Sequence, residues 1–216
     1  MRTRWLFLVV ILALTLAACD QQPASSALEY STAFEGSVSP GQMLPGTDIK
    51  YMGKTEQGAQ MTIGGQVALK RTLDSITWKG EAAHGVILDY NLRVTTFDAQ
   101  SLNALGTAKI TVSNPKPKAV AATSLPKDAA VFKGVVTYNV PRGKTIPGTT
   151  VTYDGKTPDG AKLGGIEGYA LRKTADSIVW LGQPADKLWL ELDLRLVAFD
   201  ENAMQVTGTA TLYLKP

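Results

Sequence analysis

The chain has 216 residues, with 22 basic and 19 acidic side chains, one histidine and one cysteine. This near-balance lacks the basic footprint of a nucleic-acid-binding protein, and a lone cysteine excludes a disulfide within the chain. One histidine beside one cysteine leaves no ordinary donor set for a tetrahedral zinc centre, so neither a metal nor a cofactor is expected.

The first predicted element is an export signal. Met1-Arg2-Thr3-Arg4 carries two positive charges, and residues 5–16 form an uncharged, mostly apolar run. That is the charged-then-apolar order of a secretory signal, and the run is shorter than the roughly 20 residues a membrane-spanning helix needs. It ends in Leu16-Ala17-Ala18-Cys19, which resembles the lipobox of bacterial lipoproteins. The resemblance implies removal of residues 1–18, acylation of the Cys19 thiol, and anchoring to a membrane outside the cytoplasm. Several acyl chains hold firmly, at roughly 0.8 kcal/mol per buried methylene. Asp20 resembles the inner-membrane retention signal of enteric lipoproteins. Losing Arg2 and Arg4 leaves 20 basic residues (22 − 2) against 19 acidic ones. Residues 19–33, rich in Gln, Ser and Ala, read as a lipidated tether.

The rest of the chain is a duplication. Displaced by 102 residues, residues 45–112 fall without a gap onto residues 147–214. Pro45-Gly46-Thr47 matches Pro147-Gly148-Thr149, and Tyr51-x-Gly53-Lys54-Thr55 matches Tyr153-x-Gly155-Lys156-Thr157. Asp74-Ser75-Ile76-x-Trp78-x-Gly80 matches Asp176-Ser177-Ile178-x-Trp180-x-Gly182, and Gly106-Thr107-Ala108 matches Gly208-Thr209-Ala210. Upstream, Phe34-x-Gly36-x-Val38 matches Phe132-x-Gly134-x-Val136 once four extra residues are allowed in the second copy. The expected domains are therefore residues 34–113 and 131–216. Residues 114–130, with Pro115, Pro117 and Pro126, read as a linker that lacks backbone donors for a sheet. Its length favours two separate beads.

In chain order, strands are predicted over residues 36–39, 48–53, 66–70, 75–79, 88–94 and 106–113, with counterparts in the second copy. The clearest is residues 190–198, where Leu190, Leu192, Leu194, Leu196 and Ala198 alternate with Glu191, Asp193 and Arg195. A period of two marks a strand with one buried face. Asp154-Gly155 and Asp159-Gly160 read as turns, and Gly64-Gly65 and Gly164-Gly165 as turns or bulges. The fold class is all-β: two tandem copies of a small antiparallel β-sandwich or barrel-like domain. Pro-Gly-Thr, Asp-Ser-Ile-x-Trp-x-Gly and Gly-Thr-Ala resemble the immunoglobulin-like repeats of bacterial cell-surface proteins. That resemblance implies stalks, adhesion and display rather than catalysis.

Candidate chemistry is sparse. His84 faces Asp186 in the repeat alignment and reads as a solvated loop residue. Glu191 and Asp193 share a strand face, as a glycosidase pair could, but copy one has Asp89 and Asn91 there, and Arg195 follows as a neutralising partner. Asp154 and Asp159 lack the alternating oxygen ligands of a calcium loop. Trp78 and Trp180 lie two residues after Ile76 and Ile178, which points both rings inward; the alternative is a sugar-stacking platform with Tyr51, Tyr153 and Trp189. Arg93 and Arg195 lie opposite the apolar stripe, on a candidate contact face. The sequence therefore reads as a membrane-anchored, non-enzymatic adhesion, display or protein-contact module, with envelope protein or polysaccharide as partner and carbohydrate binding as the second reading.

Overall fold

The computed structural model describes residues 27–215. The export signal, Cys19 and most of the expected tether lie outside the described residues. Copy one contains β1 (Leu28–Val38), β2 (Lys50–Thr55), β3 (Gly58–Ile63), β4 (Gln66–Lys70), β5 (Ser75–Ala83), β6 (Val86–Phe97) and β7 (Leu102–Val112). The linker holds β8 (Lys118–Ala119) and a 3-10 turn (Ala122–Ser124). Copy two contains β9 (Ala130–Pro141), β10 (Thr152–Thr157), β11 (Gly160–Gly164), β12 (Leu171–Arg172), β13 (Ser177–Ala185), β14 (Leu188–Phe199) and β15 (Ala203–Leu214).

Each copy builds one large and one small antiparallel sheet. The large sheets run β1-β7-β6-β5 and β8-β13-β14-β15-β9, and the small ones β2-β3-β4 and β10-β11-β12. The chain is all-β, as its alternation implies. In each copy the first strand closes against the last, and the middle three form a meander on their own. That order differs from the immunoglobulin fold, whose two sheets exchange strands through Greek-key connections.

Alternation explains the large sheets. Leu88, Tyr90, Leu92 and Val94 of β6, like Leu190, Leu192, Leu194 and Leu196 of β14, are fully buried or nearly so. The pattern stops at Leu196, where a bulge between Leu196 and Ala198 shifts the register and leaves Ala198 exposed. Gly106 and Gly208 sit mid-ladder opposite Leu92 and Leu194. A Cβ on either would stand 2.1 Å from the carbonyl oxygen of Asn91 or Asp193, so only glycine fits.

Several expectations need correction. β1 begins at Leu28, so residues 28–33 belong to the sheet and not to the tether. Paired apolar residues Tyr30 and Phe34 make this segment a strand despite its Ser and Ala content. The linker does supply a strand: Lys118 and Ala119 pair with Gln183 and Gly182, because its prolines fall outside the paired residues. β3 and β11 were hidden by their glycines, although Ala59 and Met61 are buried in period-two order. Asp154-Gly155 is not a hairpin turn but a bulge inside β10.

The four-residue offset upstream also disappears. β1 pairs Leu28 with Val112 and Val38 with Leu102, while β9 pairs Ala130 with Leu214 and Val140 with Met204. The displacement is therefore 102 throughout, and Phe132 stands where Tyr30 does, not where Phe34 does.

The two copies are not separate beads. Buried side chains from both form one continuous hydrophobic core. Phe34 and Tyr90 of copy one meet Phe132 of copy two, with ring centroids 6.1 and 6.2 Å from it. Along the seam β1 and β9 pass closely: a Cβ on Gly134 would be 3.0 Å from the Ser31 carbonyl oxygen and 3.1 Å from the Thr32 methyl. Gly46 lies under Leu214, and Gly148 under Leu28 and the Tyr30 hydroxyl. A shared core makes unfolding a single event. Phe132→Ala is expected to cost about 3–5 kcal/mol and to keep one calorimetric transition. Two separated transitions, with copy one unaffected, would return the beads. Gly134→Val, which crowds the seam, is expected to cost about 1–3 kcal/mol in urea denaturation.

Candidate functional site

The repeated residues that attracted attention in the sequence are pins between sheets. Tyr51 and Tyr153 are fully buried. The Tyr51 hydroxyl donates to the Asp98 carbonyl at 2.5 Å, and the Tyr153 hydroxyl donates to that of Asp200. Asp98 in turn accepts the Gln100 and Ser101 N–H groups, and Asp200 those of Asn202 and Ala203. These backbone donors hold both carboxyls below their ordinary range. The result is a small sheet bolted to the β6–β7 turn, and again to the β14–β15 turn. Neither tyrosine presents a face to a ligand, so the stacking platform loses both.

The tryptophans divide. Trp180 is 5 % exposed, and its indole N–H donates to Thr150 Oγ1 at 3.1 Å. Trp78 packs against the core but remains half-buried, with its N–H on Asp48 Oδ1 at 2.7 Å. Each ring lies over the glycine two residues on, Gly80 or Gly182. Trp180 is therefore a core residue, and only Trp78 keeps part of its surface open.

Arg93 and Arg195 stand on the outer, solvent-facing side of the large sheets. Arg93 Nη1 donates to the Leu73 carbonyl at 2.9 Å, and Arg195 Nη1 to Ser177 Oγ. Leu73 and Ala175 adopt positive φ of 73° and 74°. Arg93 thus ties down its strained turn directly, whereas Arg195 ties down the strand that follows.

Glu191 and Asp193 share the same outer face, but Glu191 Oε2 accepts the Tyr213 hydroxyl at 2.8 Å. His84 is exposed, 3.6 Å from Glu81 Oε1, on the rim of an open cleft of about 670 Å³. Lys116, Lys118, Gln183 and Asp186 are also among its lining residues and give it mixed charge. Among the described residues no three His, Cys, Asp or Glu side chains converge as a metal site would require.

Sequence reasoning missed how unlike the two outer faces are. On copy two that face carries Val131, Val135 and Val179, exposed by 56, 79 and 57 %, together with half-buried Leu181, Trp189 and Tyr213. The counterparts 102 residues earlier are Glu29, Ala33, Thr77, Lys79, Ile87 and Thr111. Copy one pairs its charges there, Lys109 with Glu29 at 3.0 Å and Lys79 with Asp89 at 3.6 Å. The signal was in the repeat alignment, in the positions where the copies differ.

Burial pushes the Tyr30, Tyr90 and Tyr138 hydroxyls above their ordinary value, with Tyr138 adding to the rise at Tyr30. A phenol that ionises less readily when folded contributes stability below its unfolded pKa near 10, and this is lost as pH rises beyond it. Alkaline titration followed by tyrosinate absorbance should show the fully enclosed Tyr30 and Tyr90 ionising only together with unfolding; their gradual ionisation in the folded state would contradict their burial. No protein-family model, no curated protein sequence and no solved structure matches the chain.

Proposed function

We propose that the protein is a lipid-anchored, extracytoplasmic contact module without enzymatic activity, and that the outer face of the copy-two sheet is its contact surface. The observation that carries the reading is the divergence of that face. Two copies of one fold bury equivalent stripes, yet copy one turns outward paired charges with one exposed leucine, Leu105, while copy two sets three exposed valines among its charges. Val135, Thr209, Asp193 and Val179 form one row across β9, β15, β14 and β13. Exposed apolar side chains gathered on one rigid face are the usual mark of a protein partner. Lys133 and Glu191 stand within the face, between the rows of Val131 and Val135, and Arg195 borders it as part of a polar rim. The anchor follows from Cys19, and several acyl chains would hold this face near a membrane surface.

A second reading, carbohydrate binding, is favoured by one pair. Trp189 and Tyr213 are cross-strand neighbours on the same outer face, beside Glu191. Partly exposed aromatics backed by a carboxylate are a suitable platform for a sugar ring.

Three experiments test these readings. Cys19→Ala should abolish palmitate labelling and leave residues 1–18 attached; palmitate labelling that survives the substitution would remove the anchor. A photo-crosslinker at Val135 or Val179 should give discrete adducts in native membranes that one at Ser31 or Thr107 does not. Val135→Asp should abolish them while changing stability by no more than about 0.5 kcal/mol, as an exposed substitution does. Equal labelling from both faces would reject the copy-two surface. Glycan binding lost with Trp189→Ala but kept with Val135→Asp would establish the second reading instead.

A further inference from the structure

β5 and β13 are counterparts, each next to its long hairpin partner at the side of the large sheet away from β1 and β9. The outer edge of β13 is occupied. Lys118 and Ala119 lie opposite Gln183 and Gly182, and the Val120 N–H donates to the Leu181 carbonyl at 3.1 Å. The outer edge of β5 has no strand partner among the described residues. The difference in cover is visible at the tryptophans, for Trp180 is buried and its counterpart Trp78 is half open. The repeat displacement puts the counterparts of Lys118 and Ala119 at residues 16 and 17, ahead of Cys19. A chain processed at Cys19 has nothing left to cover β5 by the route that covers β13.

We propose that the β5 edge pairs antiparallel with the β5 edge of a second copy of this chain, centred on Gly80, so that Lys79 of each faces Glu81 of the other. Charge selects this register. Centring the pair on Lys79 would set lysine against lysine, and centring it on Glu81 would set glutamate against glutamate. Only Gly80 at the centre gives two opposite-charge pairs. Both side chains keep access to solvent, 71 % and 54 % exposed, although Lys79 meets Asp89 and Glu81 accepts the Gly85 N–H at 2.8 Å beside His84.

Backbone direction agrees. The Leu181 carbonyl points outward to Val120, so the residues turning hydrogen-bonding groups to that edge are Leu181 and, two along, Gln183. Their counterparts are Lys79 and Glu81, the residues that the Gly80-centred register brings into hydrogen-bonded pairs. The linker already shows the same chemistry on β13: a lysine opposite Gln183 and a small residue opposite Gly182. Gly80 against Gly80 leaves the close central pair free of side chains, with each Trp78 ring lying over its own glycine.

Charged residues on an edge strand also serve as guards against pairing, and the test separates the two roles. Sedimentation equilibrium would use the chain lacking residues 1–19, which retains every described residue, at low salt and up to millimolar concentration. The expected result is a concentration-dependent dimer, with blue-shifted Trp78 emission in a Trp189→Phe background. Lys79→Glu and Glu81→Lys should each weaken the dimer about tenfold or more. An equimolar mixture of the two should restore it, because each all-acidic edge then meets an all-basic one. A monomer at every concentration would overturn the proposal, as would a dimer indifferent to both substitutions or a mixture no tighter than its components. Tighter association on replacing both residues with threonine would mark them as guards and overturn it too. Neither substitution touches the copy-two face, so this inference and the proposed function fail separately.

Discussion

A sheet with one apolar face has to put that face against something, and here the inner faces of both copies' large sheets join one continuous core. The seam where this happens is narrow. β1 and β9 pass so closely at Thr32 and Gly134 that the second position has no room for a side chain beside the first. On one side of that approach Phe34 and Tyr90 close over Phe132. On the other, the buried Tyr30 hydroxyl lies close to half-buried Tyr138, and burial raises both above their ordinary value. Were the seam wider, the rings would not meet, and Tyr90 on the apolar stripe of β6 would lose its contact with copy two.

The pins that the duplication preserves act inside each copy instead. Tyr51 and Tyr153 reach across to a turn carbonyl, and that turn is itself held by an aspartate collecting two backbone donors. Thr47 and Thr149 close their own tight turns in the same way, each donating to a carbonyl three residues back and accepting an N–H two residues on. These contacts fix how the small sheet lies on the large one. They explain why Pro-Gly-Thr, the tyrosine and the turn aspartate recur at fixed spacing while the outward residues between them drift.

Much of the fold was legible in the sequence because it depends on local periodicity. The alternation of residues 190–196 locates β14, and Ile76-x-Trp78 turns a ring inward from its spacing alone. The failures are non-local. β1 looked like tether because only its ladder with β7 and its contact with copy two make a strand of a serine-rich segment. The Phe-x-Gly-x-Val likeness was misleading in register, since pairing with β7 and β15 aligns Tyr30 with Phe132. Tyr51 and Asp98 are 47 residues apart, and nothing in the spacing says that they touch. Of the candidate site, the inward Trp180 and outward Arg93 and Arg195 could be read from strand parity. The half-open state of Trp78 could not, because it depends on the linker covering one edge and not its counterpart.

The crowded pair at the seam has a consequence for how such a molecule can be encoded. Thr32 and Gly134 are counterparts under the 102-residue displacement, and they face each other. In an assembly of two identical chains both positions would carry the same residue: two threonines that collide or two glycines that leave a void. Joining the copies in one reading frame frees each half to mutate alone, so a bulky residue can be matched by a missing one. The same licence lets one outer face become apolar while its twin stays charged. A single gene for both halves is what permits the asymmetry.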